Sequence, residues 1–228
     1  MKKIIIIVLF IVGVVLMIQM DIFTINNVSY NIGMYDDNKS IETIVIGKMN
    51  YIIHSESYIK NEVLQIPMID SVTVEKKFPN SVKFNIIYKE PYLKIVDNNI
   101  KIIIDEGGNV LAINKDIKTK FSVYGLELSY YKVNEKLKVH NNKEILVNLI
   151  GLIKLINKSG IEINNKIDYN DNNVYIYTYT GLRVNFGNCS SIEKKFNNFV
   201  NIYHDLLDKD INYGEIDVSI TDLPLFRK

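Results

Sequence analysis

A single cysteine, Cys189, stands in the whole chain, which excludes an intramolecular disulfide, a cysteine-based zinc cage and a redox pair. Stability must then come from packing. Histidine is nearly as scarce: His54, His140 and His204 fall in separate predicted elements, none with a histidine or cysteine partner at ligand spacing. That pattern argues against a metal site, and neither a cofactor nor a small-molecule substrate is expected. No charge of one sign prevails, since 27 Lys+Arg face 26 Asp+Glu for a formal charge of +1. With no basic excess to hold a phosphate backbone, nucleic acid is not an expected partner. Alanine occurs once, as Ala112, and arginine twice, against 39 Ile and 28 Asn; such a bias resembles an A+T-rich coding sequence and takes functional weight off any individual Ile, Asn or Lys. What the chain does have is apolar substance. At 228 residues and 47% hydrophobic, disorder throughout is excluded, and one large domain or two small ones is expected.

The apolar residues are concentrated first at the start. Met1-Lys2-Lys3 precedes fifteen uncharged, almost wholly aliphatic residues, Ile4 to Ile18, and apolar character resumes at Met20, Ile22 and Phe23 beyond Gln19. The pattern predicts a membrane segment over 4–22. Fifteen helical residues span only ~22 Å of a ~30 Å hydrocarbon core, so Gln19 and Met20 are expected near the interface or the bilayer to thin. A cleaved signal peptide wants small residues before the cut, and Ala112 is the only alanine; the segment therefore reads as an uncleaved signal anchor. Lys2 and Lys3 keep residues 1–3 cytoplasmic by the positive-inside rule, and everything beyond about Asp21 lies on the other side.

After the anchor, Phe23 to Ser29 alternates apolar and polar as a half-buried strand would. Ser40 is a possible cap for a short helix with Ile41, Ile44 and Val45 on one face, broken by Gly47. A second helix follows from Ser55 at the N-cap, Glu56 in the positive end of the dipole and Tyr58, Ile59, Val63 and Ile66 at helical spacing, with Pro67 ending it. Val72–Lys77 and Val82–Tyr88 read as two strands joined by the turn residues Phe78-Pro79-Asn80-Ser81. The order is strand, helix, helix, hairpin.

A second mixed module begins near Tyr88–Tyr92. Tyr175, Tyr177 and Tyr179 alternate with Val174, Ile176 and Thr178, and Thr180-Gly181 turns the chain into a strand through Leu182, Val184 and Phe186. Ile192, Phe196, Phe199, Tyr203, Leu206 and Leu207 mark an amphipathic helix covering a sheet. Another lies at Lys143 to Lys158, where Ile145, Leu149, Ile153 and Ile156 share a face and Gly160 is a plausible stop. The fold class is α+β in both modules.

Residues able to do chemistry are few. Cys189 follows a glycine turn and precedes a helix start, where a thiol pKa is sometimes lowered, but no histidine is near it in sequence. Asp105 with Glu106, and Asp168 with Asp171, occupy turn-like stretches where Asp bonds its own backbone. Gly107-Gly108 lacks the lysine and further glycine of a phosphate-binding loop. Lys76, Lys77, Lys194 and Lys195 read as solvated faces, the membrane-proximal ones able to touch anionic lipid. Catalytic and metal-binding residues are not expected. A stretch from Tyr213 to Ile220 with a short tail, Leu223 to Phe226, would instead present an edge strand whose free backbone can take up another chain.

The first module's element order, with Gly47 and Asn50 between the helices and VTVEKKFPNSVKFNIIYKEP ending in Lys89-Glu90-Pro91, resembles a POTRA domain. Directly behind a single anchor, it is similar to the FtsQ/DivIB family of bacterial cell-division proteins. Ile103 to Leu111, Lys166-Ile167-Asp168, Gly181 to Gly187, the helix with Lys194 and Lys195, and Ile216-Asp217-Val218-Ser219 follow that family's pattern to the end of the chain. The resemblance implies a POTRA domain over 23–91, a β domain over 92–222 and a tail over 223–228. It also implies a non-enzymatic scaffold at the division septum, which binds FtsB/DivIC-type and FtsL-type partners and helps regulate septal peptidoglycan synthesis. Carried over onto this chain, the docking residues are Ile216, Val218, Ser219, Ile220, Leu223, Leu225 and Phe226, of which Ile216 and Val218 also suit the core. An anchored extracytoplasmic hydrolase or metal-dependent enzyme, and a POTRA-bearing protein of sporulation or transport, are the competing readings.

Overall fold

Helix α1 (Lys2–Ile18) is held by aliphatic side chains with no acidic residue among them, and its large apolar residues from Ile4 to Met17 are exposed almost throughout. It is shorter than the 4–22 span read from the sequence. Met20 is extended (φ −65°, ψ 141°), and Asp21–Phe23 form a separate 3-10 turn. At ~1.5 Å per residue the seventeen helical residues cover ~25 Å, and among the described residues no helix is long and apolar enough to cross a membrane. Gln19, expected at the interface, lies outside the described residues, which in this computed structural model are 2–18, 20–31, 38–140 and 144–228. The chain divides into two units, Met1–Lys89 and Glu90–Lys228.

In the first unit, β1 (Asn27–Tyr30) runs parallel to β3 (Ser81–Tyr88), which pairs antiparallel with β2 (Ile69–Lys77), in the order β1-β3-β2. The strand begins at Asn27 and not at Phe23, because the Phe23 and Thr24 amides are bound back to Met20 and Asp21 by the 3-10 turn. Helices α2 (Asn38–Val45) and α3 (Glu56–Val63) lie against this sheet. Ile41, Val45, Ile59 and Val63 from the helices meet Val72, Val74, Val82, Phe84 and Ile86 from alternate strand positions. That alternation is the period-two pattern of a sheet buried on one face. The Ser55 side chain accepts the Tyr58 amide at 3.1 Å, capping α3 as expected. Ser40 lies inside α2 and not at its cap, and α3 stops at Val63, with Ile66 closed onto the Val63 carbonyl by a tighter turn before Pro67 is reached.

The second unit is built on a nine-stranded mixed sheet. Its strands are β4 (Leu93–Asp97), β5 (Ile100–Ile104), β6 (Val110–Ile113), β7 (Phe121–Tyr124), β10 (Lys166–Asn170), β11 (Asn173–Tyr177), β12 (Leu182–Asn185), β13 (Gly214–Asp217) and β14 (Leu225–Arg227). Strands β8 (Leu128–Tyr130) and β9 (Lys138–Val139) form a separate hairpin. Across the large sheet the order is β14-β13-β12-β11-β10-β7-β4-β5-β6. Three neighbours are parallel, β4/β7, β7/β10 and β12/β13. Parallel pairing needs a crossover, and two of the crossovers are the helices α4 (Ile145–Ser159), between β7 and β10, and α5 (Ile192–Asp208), between β12 and β13.

Both helices bury their apolar faces in one core with the sheet: Leu149, Leu152, Ile153, Phe196 and Phe199 meet Ile95, Phe121, Ile167, Ile176 and Val184. Each such fully buried side chain contributes ~1.5–3 kcal/mol. Gly160 terminates α4 in the left-handed region at φ 72°, where glycine carries no Cβ penalty. Lys143, where that helix was expected to begin, lies outside the described residues. The α+β class and the strand-helix-helix-hairpin order were legible in the sequence. The sheet's mixed order was not.

Candidate functional site

The carboxy-terminal end of the large sheet is assembled from β12, β13 and β14. Strand β13 follows α5 and lies parallel to β12, pairing Val184 with Ile216 and Asn185 with Asp217. A turn in which the Leu223 amide reaches the Ile220 carbonyl then reverses the chain, and β14 returns antiparallel, pairing Ile216 with Phe226 and Asp217 with Leu225. Gly214 makes that return possible. At φ 120°, a Cβ on it would stand 2.5 Å from the Arg227 carbonyl oxygen and 2.8 Å from the Phe226 ring. The turn is tied to α5 by the Asn198 side-chain amide, which donates to the Thr221 carbonyl at 2.7 Å. On the exposed side, Arg227 faces Glu215 at 3.9 Å and Asp217 at 3.5 Å, and Arg183 faces Glu215 at 3.3 Å.

The outermost strand is therefore β14. The sequence reading placed the edge on Tyr213 to Ile220, with Leu223 to Phe226 as a tail; the tail is itself partly a strand and covers β13. Ile216 and Val218 are wholly buried. Ser219 is half-buried, with its amide bound to the Asp217 carboxylate at 3.0 Å. Ile220 and Leu223 are 61% and 63% exposed in the turn, and Leu225 and Phe226 are half-buried on β14. The structure thus brings Ile220, Leu223, Leu225 and Phe226 together at one open margin and puts Ile216 and Val218 beneath it. Among the described residues β14 pairs with β13 alone, leaving its outer backbone groups to solvent or to another chain.

The opposite margin of the sheet is different. The Val110 amide of β6 donates to the Glu135 carbonyl at 2.9 Å, Asn134 donates back to Val110 at 2.9 Å, and Leu137 donates to Gly108 at 3.0 Å. The chain's own 134–137 segment has occupied the Val110 end of that edge.

The chain matches no family model. Curated relatives match between 73% and 99% of its length. The DivIB cell division protein of Clostridium botulinum strain Hall is 27% identical over 239 residues, covering 99% of this chain and 90% of the relative. The chain resembles DivIB. The Clostridium tetani DivIB is 29% identical over 205 residues, 83% of this chain and 75% of its own. The Clostridium acetobutylicum DivIB is 25% identical over 171 residues, 73% and 67% respectively. The similarity to DivIB therefore takes in both units, not the apolar amino-terminal run alone.

The remaining polar candidates of this DivIB-like chain are engaged locally. The Asp105 carboxylate accepts the Asn109 amide at 2.8 Å and its side-chain nitrogen at 2.9 Å, as turn chemistry predicts. Asp168 is held by Lys166 at 2.9 Å and by the Tyr177 hydroxyl at 3.0 Å, and Asp171 sits in the β10–β11 turn at φ 49°. His54 Nδ1 is 2.9 Å from the Asn50 amide. Among the described residues no three of His, Cys, Asp and Glu gather as a metal site would need.

One reading fails outright: Lys195 is no solvated face but 2% exposed. Its Nζ donates to the Phe186 carbonyl at 3.1 Å and lies 3.5 Å from Asn188 Oδ1. Burial pulls its pKa below the ordinary lysine range, while Cys189 and Asp217 oppose the shift. Beside it Cys189 is wholly buried, and burial pushes its thiol up to about 12, with Lys195 opposing. A thiol so raised is a poor nucleophile at neutral pH. The signal for Lys195 was present but unread: it stands one position before Phe196 on the apolar stripe of α5.

Proposed function

We propose that the protein is a non-enzymatic assembly protein of the bacterial division machinery. Helix α1 serves as a single membrane anchor with residues 1–3 cytoplasmic and both units outside, the first unit acts as a POTRA domain, and the second carries the docking edge. Strand β14 and the 220–223 turn accept an extended segment from single-pass partners of the FtsB/DivIC and FtsL type, at the division septum, and so help regulate septal peptidoglycan synthesis. The similarity to DivIB proteins along both units is the observation that carries this reading. The free outer edge of β14, framed by exposed Ile220 and Leu223, supports the docking mode, since strand addition draws affinity from main-chain bonds and specificity from alternate side chains.

The experiment is co-purification of the full chain with co-expressed division partners, for wild type, Ile220→Asp and Leu225→Asp. Roughly tenfold less partner is expected on each variant, the loss of one apolar anchor, with the unfolding midpoint held as the control for folding. Full retention on a folded variant would remove the edge as the docking site. Separately, a fluorescent fusion spread evenly round the cell, and not enriched at midcell, would remove the division role.

A further inference from the structure

The first unit carries an exposed apolar cluster that neither its core nor the docking edge uses. Three segments distant in sequence build it. Phe23 ends the 3-10 turn after α1, Tyr51 lies in the 50–53 turn, and Phe78 stands at the tip of the β2–β3 hairpin. The Tyr51 amide donates to the Phe23 carbonyl at 2.7 Å, and Thr24 bridges Asn50, which fixes the two turns side by side. The Phe78 ring then sits 6.1 Å from that of Phe23 and 5.7 Å, edge-on, from that of Tyr51. Phe23 and Tyr51 are half-buried by those contacts, whereas Phe78 is 74% exposed and its companions Met20, Ile22, Ile52 and Ile53 are exposed as well. Lys76 lays its ammonium 4.5 Å from the Tyr51 ring centre and donates to the His54 carbonyl at 2.9 Å, and Lys77 is exposed beside Phe78.

Only three residue steps separate Ile18, the end of α1, from Asp21, where the turn starts. A chain advances at most ~3.6 Å per residue, so the cluster begins within ~11 Å of the helix end. The fifteen helical residues beyond cytoplasmic Lys3 reach ~22 Å into a hydrocarbon layer of ~30 Å, which leaves ~8 Å of apolar depth and then the headgroup zone for the residues after the helix to meet. Aromatic rings backed by lysine are the composition that the membrane–water interface favours.

We infer that Phe78, Tyr51 and Phe23, with Ile52 and Ile53, form a lipid-docking face that seats the first unit on the outer surface of the bilayer holding α1. The face completes the short anchor and fixes the height at which the unit stands. This rests on the proposed membrane insertion of α1, and its test separates the two.

The chain has no tryptophan, so one introduced tryptophan is the sole indole reporter. Full-length Phe10→Trp and Phe78→Trp proteins are reconstituted into phosphatidylcholine–phosphatidylglycerol vesicles with and without brominated acyl chains, alongside Val147→Trp on exposed α4 of the second unit. Phe78→Trp is expected to show blue-shifted emission and to lose at least half its intensity to brominated lipid, as Phe10→Trp does, while Val147→Trp is unaffected. Quenching at position 10 without quenching at position 78 overturns the lipid face and leaves the anchor standing. Failure of quenching at position 10 overturns the anchor itself. A blue shift at 78 that brominated lipid does not quench, with a doubled particle mass, assigns the face to a second copy of the chain and also overturns the inference.

Discussion

At one margin of the large sheet, β6 has its Val110 amide and carbonyl satisfied by Glu135 and Asn134, and Val110, Leu111 and Ala112 are buried. At the other, β14 has three residues, half-buried or exposed, bonded to β13 and stitched to it by Arg227. The two margins belong to one sheet and one core, so their difference is not one of overall stability. A bare edge is an invitation to unwanted pairing, and proteins ordinarily cover it, shorten it or charge it. Here the covered edge spends a loop of the protein's own backbone, whereas the open one is short, carries one arginine and is flanked by the exposed leucine and isoleucine of the preceding turn. An edge guarded by shortness and charge still admits a chosen partner. An edge whose leading residue is already bonded by its own chain offers less of itself.

That contrast can be broken from the covered side. Asn134 adopts φ 67° and its amide donates to Val110; proline, with no N–H and a fixed negative φ, can do neither. Asn134→Pro is therefore expected to peel the 134–137 segment from β6 at a cost of roughly 3 kcal/mol, seen in the denaturant midpoint. Size-exclusion chromatography should then show self-association through the uncovered edge, and a monomer of unchanged stability would refute the covering role.

A second test concerns the turn after β12, next to the open margin. The Cys189 thiol is raised from 9.0 to about 12 by burial. Between those values the unfolded chain gives up the proton while the folded chain keeps it, so the stability present below pH 9 drains away as the pH rises. The slope is at most ~1.4 kcal/mol per pH unit. Lys195, whose pKa burial lowers, acts in the opposite sense, because its unfolded form holds the extra proton and stability grows with pH below its ordinary value of 10.5. Cys189→Ala should flatten the alkaline decline measured by urea unfolding across pH 8 to 11; an unchanged decline would place its cause elsewhere. The smallest effect is expected from Arg227→Ala. Its side chain is 62% exposed, so unfolding should shift by less than ~1 kcal/mol, while partner retention at the β14 edge tells whether the charge guards the margin.

Much of this was readable before any coordinates. The period-two run through Val174, Ile176 and Thr178 and the stripe from Ile192 to Leu206 gave a strand and a helix, because burial of one face leaves its period in the residues themselves. Gly160 and Ser55 marked a helix end and a helix start by conformational rules that act over a few residues. The open edge was read only in part: the apolar residues after Asp217 were visible, but their division into a strand β13 beneath and a strand β14 outside depends on Gly214 letting Phe226 come close. A lysine's charge suggests solvent for Lys195, while its place on the apolar stripe of α5 points inward; that the turn after β12 folds Phe186 and Asn188 back to receive its ammonium is decided only by the packing. The helix takes in the whole aliphatic run Ile4–Ile18, while at Met20, Ile22 and Phe23 the apolar composition continues after the backbone has turned away.

The sequence by itself determined the α+β class, the apolar faces of the main helices and strands and the long likeness to DivIB, all carried by residues near one another or by order along the chain. Tertiary structure alone decided that β7 lies between β4 and β10, that the chain covers the Val110 end of one sheet margin and, among the described residues, leaves the other open, and that Phe23, Tyr51 and Phe78 meet. Those facts depend on pairing between residues tens of positions apart, where backbone hydrogen bonds are available to any sequence and only the simultaneous packing of all the faces selects one arrangement.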